Sequence, residues 1–334
     1  MNQTNLDEAL EGFQVTSRAE KTKEDYMFRA LQLLNRAKKQ LEIPDYENLD
    51  VRQFVVWLAE QKQSIARTTW RQYKSSVVYF LENYHDIQAS TEALEYLKEI
   101  TSVGALTHTE RTSSLKLKKV SYEDWLKLDQ YLQVKNKKWH EQLRMWLRAS
   151  VITGLRPIEW KNAIMFQHHE HQALKIQNAK TTNGRSHGPT RTLLLQELTN
   201  EDLKAIKTHL NNVRTFIGMD EYDYFYKGCA IALYKACRKC WPKRKKHITL
   251  YSTRHQFSAN AKSSGFSRIE VAAMMGHAVD VTATIHYGRK LAGNEALSVL
   301  PLEEDVSRVR SIETTFFNSI AKSFEGRVVK TTRK

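Results

Sequence analysis

Residues that interrupt helices and residues that form disulfide bonds are both scarce in this sequence. Its 334 residues include only 12 glycines, 5 prolines and 3 cysteines. Three cysteines cannot build the disulfide framework on which small extracellular proteins rely. Because glycine and proline are few, long helices are permitted, and the length corresponds to one large or two medium domains.

Long apolar runs are missing as well. No stretch approaches the roughly 18 consecutive apolar residues that a membrane-spanning helix needs. The first residues, MNQTNLDEALEGFQV, are polar and acidic, whereas a signal peptide begins with basic residues and continues with apolar ones. We therefore expect a cytoplasmic protein.

Acidic residues are outnumbered by basic ones. The sequence contains 52 Lys and Arg residues and 37 Asp and Glu residues, which gives a net charge of +15. A surplus of this size repels itself, so a polyanionic partner is the natural explanation. The sequence has no aromatic strand of the kind that binds RNA, so we expect DNA as the partner and association with the nucleoid.

The cysteines raise the question of a zinc site. Cys237 and Cys240 form a C-x-x-C pair, with Cys229 and His247 nearby. The surrounding segment has a helical pattern, however, and no second C-x-x-C pair accompanies it. We interpret the cysteines as small apolar residues of a helix and predict no metal and no cofactor.

The first part of the chain has an all-helical pattern. Apolar residues recur at helical spacing in four segments, which are 20–41, 50–62, 65–84 and 90–100. The exposed face of the third segment carries Arg67, Arg71 and Lys74, which are candidates for contacts with a DNA backbone. Such a stripe is also typical of an ordinary solvated face.

The second part is predicted to be mostly helical with a small β-hairpin. Ser121 can cap its first helix. The predicted helices are 121–134, 137–152, 199–217, 228–240, 252–264, 267–275 and 279–287. Strands at 172–178 and 191–195 flank a segment rich in turn-forming residues, AKTTNGRSHGPT. The fold class is therefore mainly α.

These patterns divide the chain into five parts. We predict a tail, a helical domain, a polar linker, a second domain with a small sheet, and a C-terminal helix with a basic tail, at 1–18, 19–102, 103–120, 121–300 and 301–334. The C-terminal helix is expected over 303–322, where apolar residues again recur at helical spacing.

Unusual residues collect at three helix boundaries of the second domain. Arg156 follows Gly154 at the end of one helix. Arg254 lies in the first turn of another, where it opposes the helix dipole unless an anion is close. His277 follows a glycine, and Tyr287 comes ten residues later. Each feature alone also has an ordinary structural interpretation.

The order of these residues resembles the tyrosine recombinase (phage integrase) family. The resemblance covers roughly residues 120–290, while the first domain is similar to the family's helical core-binding domain in size and position only. It implies that Arg156 and Arg254 hold a DNA phosphate, Lys180 is the hairpin lysine that acts as general acid, His277 is a further donor, and Tyr287 is the nucleophile.

The resemblance also implies supporting roles and shows two departures. Glu159 and His255 match residues that accompany the two arginines. Tyr251 stands where the family usually has a histidine, and we include it in the catalytic set. Tyr287 follows His277 by ten residues where nine is usual, and His286 occupies the nine-residue position. We choose Tyr287, because a phosphohistidine linkage would be labile.

A family member would cleave and rejoin DNA at specific recombination sites through a 3′-phosphotyrosyl intermediate. It would serve a mobile genetic element in integration or transposition. The resemblance implies a homotetramer on DNA, assembled through the C-terminal helix, with accessory DNA-bending proteins as possible partners. Lys243, Arg244 and Lys245 would add contacts to DNA. A catalytically impaired DNA-binding relative, a type IB topoisomerase and a telomere resolvase remain alternatives.

Overall fold

The computed structural model describes most of the chain from residue 20 onward. The described residues are 20–44, 50–84, 87–106, 116–181, 184–196, 198–282, 287–288, 290–293 and 296–311. The predicted N-terminal tail, His286 and everything after residue 311 lie outside them. Within the described part, none of the helices combines the length and apolar character needed to cross a bilayer.

The chain divides into two compact units, Met1–Arg111 and Thr112–Lys334. The division falls inside the segment predicted to be a linker, 103–120. In the first unit, four helices are described, which are α1 (Glu20–Gln40), α2 (Val51–Gln61), α3 (Arg67–Glu82) and α4 (Ile87–Glu99). Their apolar faces meet around the fully buried side chains of Phe54, Leu58 and Trp70.

The second unit is mostly helical. Its described helices are α5 (Tyr122–Lys135), α6 (His140–Thr153), α7 (Asn200–Gly218), α8 (Tyr222–Cys240), α9 (Ser252–Ser263), α10 (Arg268–Met274) and α11 (Glu303–Ser307). The Ser121 side chain caps α5 by accepting from the Asp124 amide at 3.2 Å, as predicted. Trp146, Trp160 and Phe257 are at the centre of the core.

A four-stranded antiparallel sheet lies beside these helices in the order β1-β2-β3-β4. The strands are β1 (Ile164–His168), β2 (His171–Gln177), β3 (Thr190–Leu195) and β4 (Val299–Pro301). The predicted fold class, mainly α with a small sheet, is confirmed. The hairpin corresponds to β2 and β3, and the sequence did not reveal the two outer strands.

The segment after β4 differs from the prediction of one continuous helix over 303–322. Helix α11 ends at Ser307, because the next residues pair with another segment: the Arg310 amide donates to the Ala278 carbonyl at 2.9 Å. The Thr192 amide in β3 donates to the Asp305 side chain at 2.7 Å, so this segment packs on its own unit.

The cysteines are core residues of α8, as interpreted from the sequence. Cys229, Cys237 and Cys240 are all buried. Burial raises the pKa of the Cys237 thiol to about 12, so it remains protonated and a poor metal ligand. No group of three His, Cys, Asp or Glu side chains with the placement of metal ligands occurs in the described part of the chain.

Candidate active site

The turn after α6 positions Arg156. Gly154 ends the helix with a φ of 65°, and a β-carbon there would collide with the Phe257 ring, so the position requires glycine. Arg156 then opens a short 3-10 helix. Its amide donates to the Glu159 carboxylate at 2.8 Å, and its guanidinium also donates to that carboxylate. The turn and the carboxylate together hold the guanidinium in place.

Glu159 lies at the centre of a cluster of buried charges. Its side chain is fully buried and accepts from Arg191 Nη2 at 2.7 Å, while Arg254 Nη1 lies 3.8 Å away. Burial raises the pKa of Glu159, but the charges of Arg191, Arg254 and Arg156 outweigh burial and hold it well below its usual range. A single carboxylate therefore anchors three guanidinium groups.

Arg191 belongs to this cluster and was missed in the sequence. It is fully buried in β3 and donates to the Met274 carbonyl at 2.8 Å, next to the turn that carries His277. It also donates to the Asn178 side chain. Its position was foreseeable, because Arg191 alternates with Leu193 and so shares the inward face of the strand.

Arg254 projects from the first turn of α9 into the same region. It is fully buried and donates to the carbonyls of Gly154 and Met275, each at 2.5 Å. Tyr251 is at the N-cap of this helix and makes no capping hydrogen bond with its side chain, and neither Ser252 nor Thr253 caps the helix. Both residues lie inside the helix, where the Ser252 hydroxyl accepts from the Thr249 amide and the Thr253 hydroxyl donates to a carbonyl one turn back.

His277 follows Gly276 in a tight turn and lies against Arg254. Its Nε2 is 3.2 Å from Arg254 Nη2. Because arginine can only donate, Nε2 accepts and the ring proton is on Nδ1. Burial, followed by the charges of Arg254 and Arg156, holds the pKa of His277 far below its usual range. His277 is therefore a neutral imidazole.

The buried nitrogens of this region that have no partner among the described residues include His255 Nδ1 and two that carry a proton. The two that carry a proton are Nδ1 of His277 and Nε of Arg156. Buried polar groups are nearly always hydrogen-bonded, so such a pair calls for a ligand or water. Both residues line the same cleft. Unpartnered donors on two residues that border one cleft suit an anionic ligand.

Tyr287 lies with its phenol in this cleft. Its hydroxyl is 3.4 Å from Arg254 Nε and 2.8 Å from the Tyr251 hydroxyl. Burial raises the pKa of Tyr287, but the charge of Arg254, the hydrogen bonds from Tyr251 and Arg254, and the charge of Arg156 lower it to about 8. Burial raises the pKa of Tyr251, so Tyr287 ionises first and Tyr251 donates to it.

The cleft has a volume of about 590 Å³ and brings most of the predicted site residues together. The predicted residues that line it are Arg156, Lys180, Tyr251, His255, His277 and Tyr287. Three further basic residues, which the sequence did not single out, also line it, and they are Lys116, Lys118 and Arg185. Lys180 is exposed on the loop after β2. His255 lies beside the Tyr287 ring, and burial is the main cause that lowers its pKa to about 4.

The predicted DNA contacts have different surroundings. In the first unit, Arg67 and Arg71 are exposed, and Arg67 donates to Ser102 Oγ at 2.9 Å. Lys74 donates to the Lys98 and Ile100 carbonyls at 2.8 and 2.7 Å, where it complements the C-terminal end of α4. A phosphate contact of Lys74 stays a prediction and would compete with these bonds.

In the second unit, Lys243 and Lys245 are exposed. Arg244 is held by a bidentate ion pair with Asp124 at 2.7 and 3.0 Å, and its guanidinium lies 4.5 Å from the centre of the Trp241 ring. The two lysines are thus free of the ion pair that fixes their neighbour.

No protein-family model matches the sequence, and no curated protein matches it significantly. Among solved structures, the chain is similar to a lambda integrase tetramer bound to a Holliday junction, with 16% identity over 87% of this chain and 78% of that chain and a TM-score of 0.46. It is also similar to the protelomerase TelA covalently complexed with substrate DNA, with 14% identity over 95% and 97% of the two chains and a TM-score of 0.43. A third similar structure is the XerH site-specific recombinase bound to difH substrate, with 15% identity over 72% of this chain and 69% of that chain and a TM-score of 0.39.

Proposed function

We propose that this protein is a tyrosine site-specific recombinase that cleaves and rejoins DNA through a covalent bond to Tyr287. The observation that carries the proposal is the cleft in which the Tyr287 phenol contacts the Arg254 guanidinium, beside Arg156, His277 and Lys180. A nucleophile, cationic donors and an exposed ammonium around one space are the groups that phosphodiester exchange requires.

In the first step, Tyr287 Oη attacks a DNA phosphorus atom and the bond from phosphorus to the 5′-oxygen breaks. Lys180 gives its proton to that leaving oxygen, and the DNA 3′ end remains joined to the protein as a phosphotyrosine. The bond energy is conserved, so a 5′-hydroxyl can reverse the reaction on the same strand or on another one. Arg156 and Arg254 stabilise the charge that develops on the non-bridging oxygens.

The two buried donors without acceptors support a phosphate in the cleft. Arg156 Nε and His277 Nδ1 have no partner in the described residues, and a non-bridging phosphate oxygen would supply one. His277 is neutral, so it would donate from Nδ1 without adding charge. Both residues follow tight turns at a glycine, Gly154 or Gly276, where an added β-carbon would collide with a neighbouring side chain.

We expect the pH dependence of cleavage to report the ionisation of Tyr287. Because the pKa of Tyr287 is about 8, the fraction of reactive phenolate rises about tenfold with each unit of increasing pH below pH 8. Above pH 8 the fraction levels off. Tyr251→Phe removes a hydrogen bond that lowers this pKa. Its profile should therefore shift to higher pH, with slower cleavage at pH 7 and near-equal cleavage at high pH.

Single-turnover cleavage rates between about pH 6 and pH 10 measure this shift. Tyr122→Phe, at an exposed tyrosine outside the cleft, is the matched control and should keep the original profile. Tyr251→His restores the residue that the family usually has and should remain active. A Tyr251→Phe profile that overlays the original would remove Tyr251 from any role in the ionisation of Tyr287.

A nicked suicide substrate, which loses a short strand after cleavage, tests the proposal directly. The protein should remain covalently attached, and peptide mapping should locate the DNA on Tyr287. Attachment through Tyr251 would reassign the nucleophile, and no attachment to any substrate drawn from DNA flanking the gene would leave a DNA-binding relative. Relaxation of plasmids regardless of sequence would indicate the topoisomerase alternative.

Exchange between two DNA sites requires several active sites in one complex. We therefore propose a homotetramer on paired sites, assembled through the C-terminal segment. Of this segment, the described residues 303–311 pack on their own unit through Asp305 and Arg310. Accessory DNA-bending proteins and service to a mobile element stay predictions.

A further inference from the structure

A second groove of the Thr112–Lys334 unit opens directly beside the cleft of Tyr287. It has a volume of about 750 Å³ and runs along α8 to the segment before α9. Lys116 and Tyr251 line both spaces. The two spaces therefore adjoin at these residues, and a strand of DNA whose phosphate lies in the cleft could continue into this groove.

The groove has the charge of a surface that binds phosphates. Five basic side chains line it, which are Lys116, Arg238, Lys243, Arg244 and Lys245. Among the described residues that line it there is no carboxylate. Arg244 is already paired with Asp124, so the other four supply the uncompensated charge. The groove is thus suited to a polyanion along its length.

Tyrosine side chains stand in this basic groove. Tyr226 and Tyr234 are on α8 and are 38% and 53% exposed. The Arg238 guanidinium lies 5.7 Å from the centre of the Tyr234 ring, and the His247 ring meets Tyr234 edge-on at 6.3 Å. Tyr234 thus presents a large, positioned aromatic surface next to cations, where a solvated helix would ordinarily present polar side chains.

We infer that this groove binds unpaired nucleotides of the DNA strand that leads from the scissile phosphate. Bases in a double helix are already stacked on one another and cannot offer their faces to a tyrosine. Unpaired bases can stack on Tyr234 and Tyr226 while Lys243 and Lys245 contact the phosphates between them. The link to the cleft rests on the proposed function, and it specifies a substrate that is unpaired beside the position of cleavage.

Binding of the full-length protein to a fluorescent oligothymidylate of about twelve nucleotides tests the inference. Tyr234→Ala should weaken this binding about tenfold and leave the affinity for a continuous duplex within about twofold. Tyr234→Phe retains the ring and should bind as the original does. Tyr122→Ala, which removes an equally exposed tyrosine of α5 outside the groove, should change neither affinity.

Equal losses for both DNA probes, or no loss for Tyr234→Ala, would overturn the inference. Equal losses would mean that Tyr234 stabilises the fold or contacts the DNA backbone. No loss would mean that no base stacks on Tyr234. The proposed function is tested by a different result, because the absence of a covalent adduct on Tyr287 would contradict it. If the original protein forms the adduct while Tyr234→Ala binds the oligothymidylate normally, the recombinase proposal stands and the groove is rejected as a site for unpaired nucleotides.

Discussion

Tyr287→Phe will bind DNA with unchanged affinity and form no covalent adduct with it. The substitution removes one oxygen atom, and with it the only group of that side chain that can attack phosphorus. The ring that packs beside His277 and His255 remains, so the fold should be preserved. We expect single-turnover cleavage to fall by a factor on the order of 10⁴ or more, as for other enzymes that lose their nucleophile.

Denaturing gels of the suicide-substrate reaction measure the adduct, and fluorescence anisotropy measures binding. Tyr251→Phe is the matched control, because its hydroxyl lies 2.8 Å from that of Tyr287 in the same cleft. It should still form the adduct, although more slowly near neutral pH. A covalent band of normal intensity from Tyr287→Phe would contradict the assignment of the nucleophile, and its loss from Tyr251→Phe would make Tyr251 the attacking group.

The residues of the cleft that were predictable share one property. Arg156, Arg254 and His277 each follow or begin a helix, where a glycine or an unfavourable charge marks the position in the sequence. Local sequence was sufficient to single out these positions, because the end of a helix favours some residue types and disfavours others. The proximity of the three side chains comes from tertiary packing, and only the resemblance to a family anticipated it.

Other parts of the site depend on distant contacts and left no local mark. Lys116 and Lys118 lie in the segment predicted to be a linker, yet they line the cleft, because the Leu117 amide pairs with the His247 carbonyl at 2.9 Å. The hydrogen bond between Tyr251 and Tyr287 joins residues 36 positions apart. No periodicity within one element could have predicted either contact.

The fold shows the same division between local and distant information. Helix α1 was predicted within a residue or so, because its apolar side chains repeat over several turns. Strands β1 and β4 were missed. Ile164–His168 has no clear alternation, and Val299–Pro301 is three residues long and is a strand only because it pairs with β3. Short edge strands are specified by their partners.

Glu159→Gln should lower the free energy of unfolding by about 3–5 kcal/mol, the usual cost of removing one partner from a buried ion pair. The amide keeps the shape of the carboxylate but leaves Arg156, Arg191 and Arg254 without their shared negative charge. Urea unfolding at pH 7 measures the difference as a lower midpoint at constant slope. Glu141→Gln, at a carboxylate that pairs with Arg144 on the surface, should cost about 1 kcal/mol or less.

The pH dependence of this difference has a definite sign. The pKa of Glu159 is lower in the folded protein than in the unfolded chain, so its stabilising contribution is complete above the unfolded value, about 4.3. The contribution is lost as the pH falls below that value toward the folded pKa. The stability gap between the original protein and Glu159→Gln should therefore be constant from about pH 7 to 5 and narrow at lower pH. A gap that stays constant down to pH 3, or one no larger than that of Glu141→Gln, would mean that the buried arginines do not depend on this carboxylate.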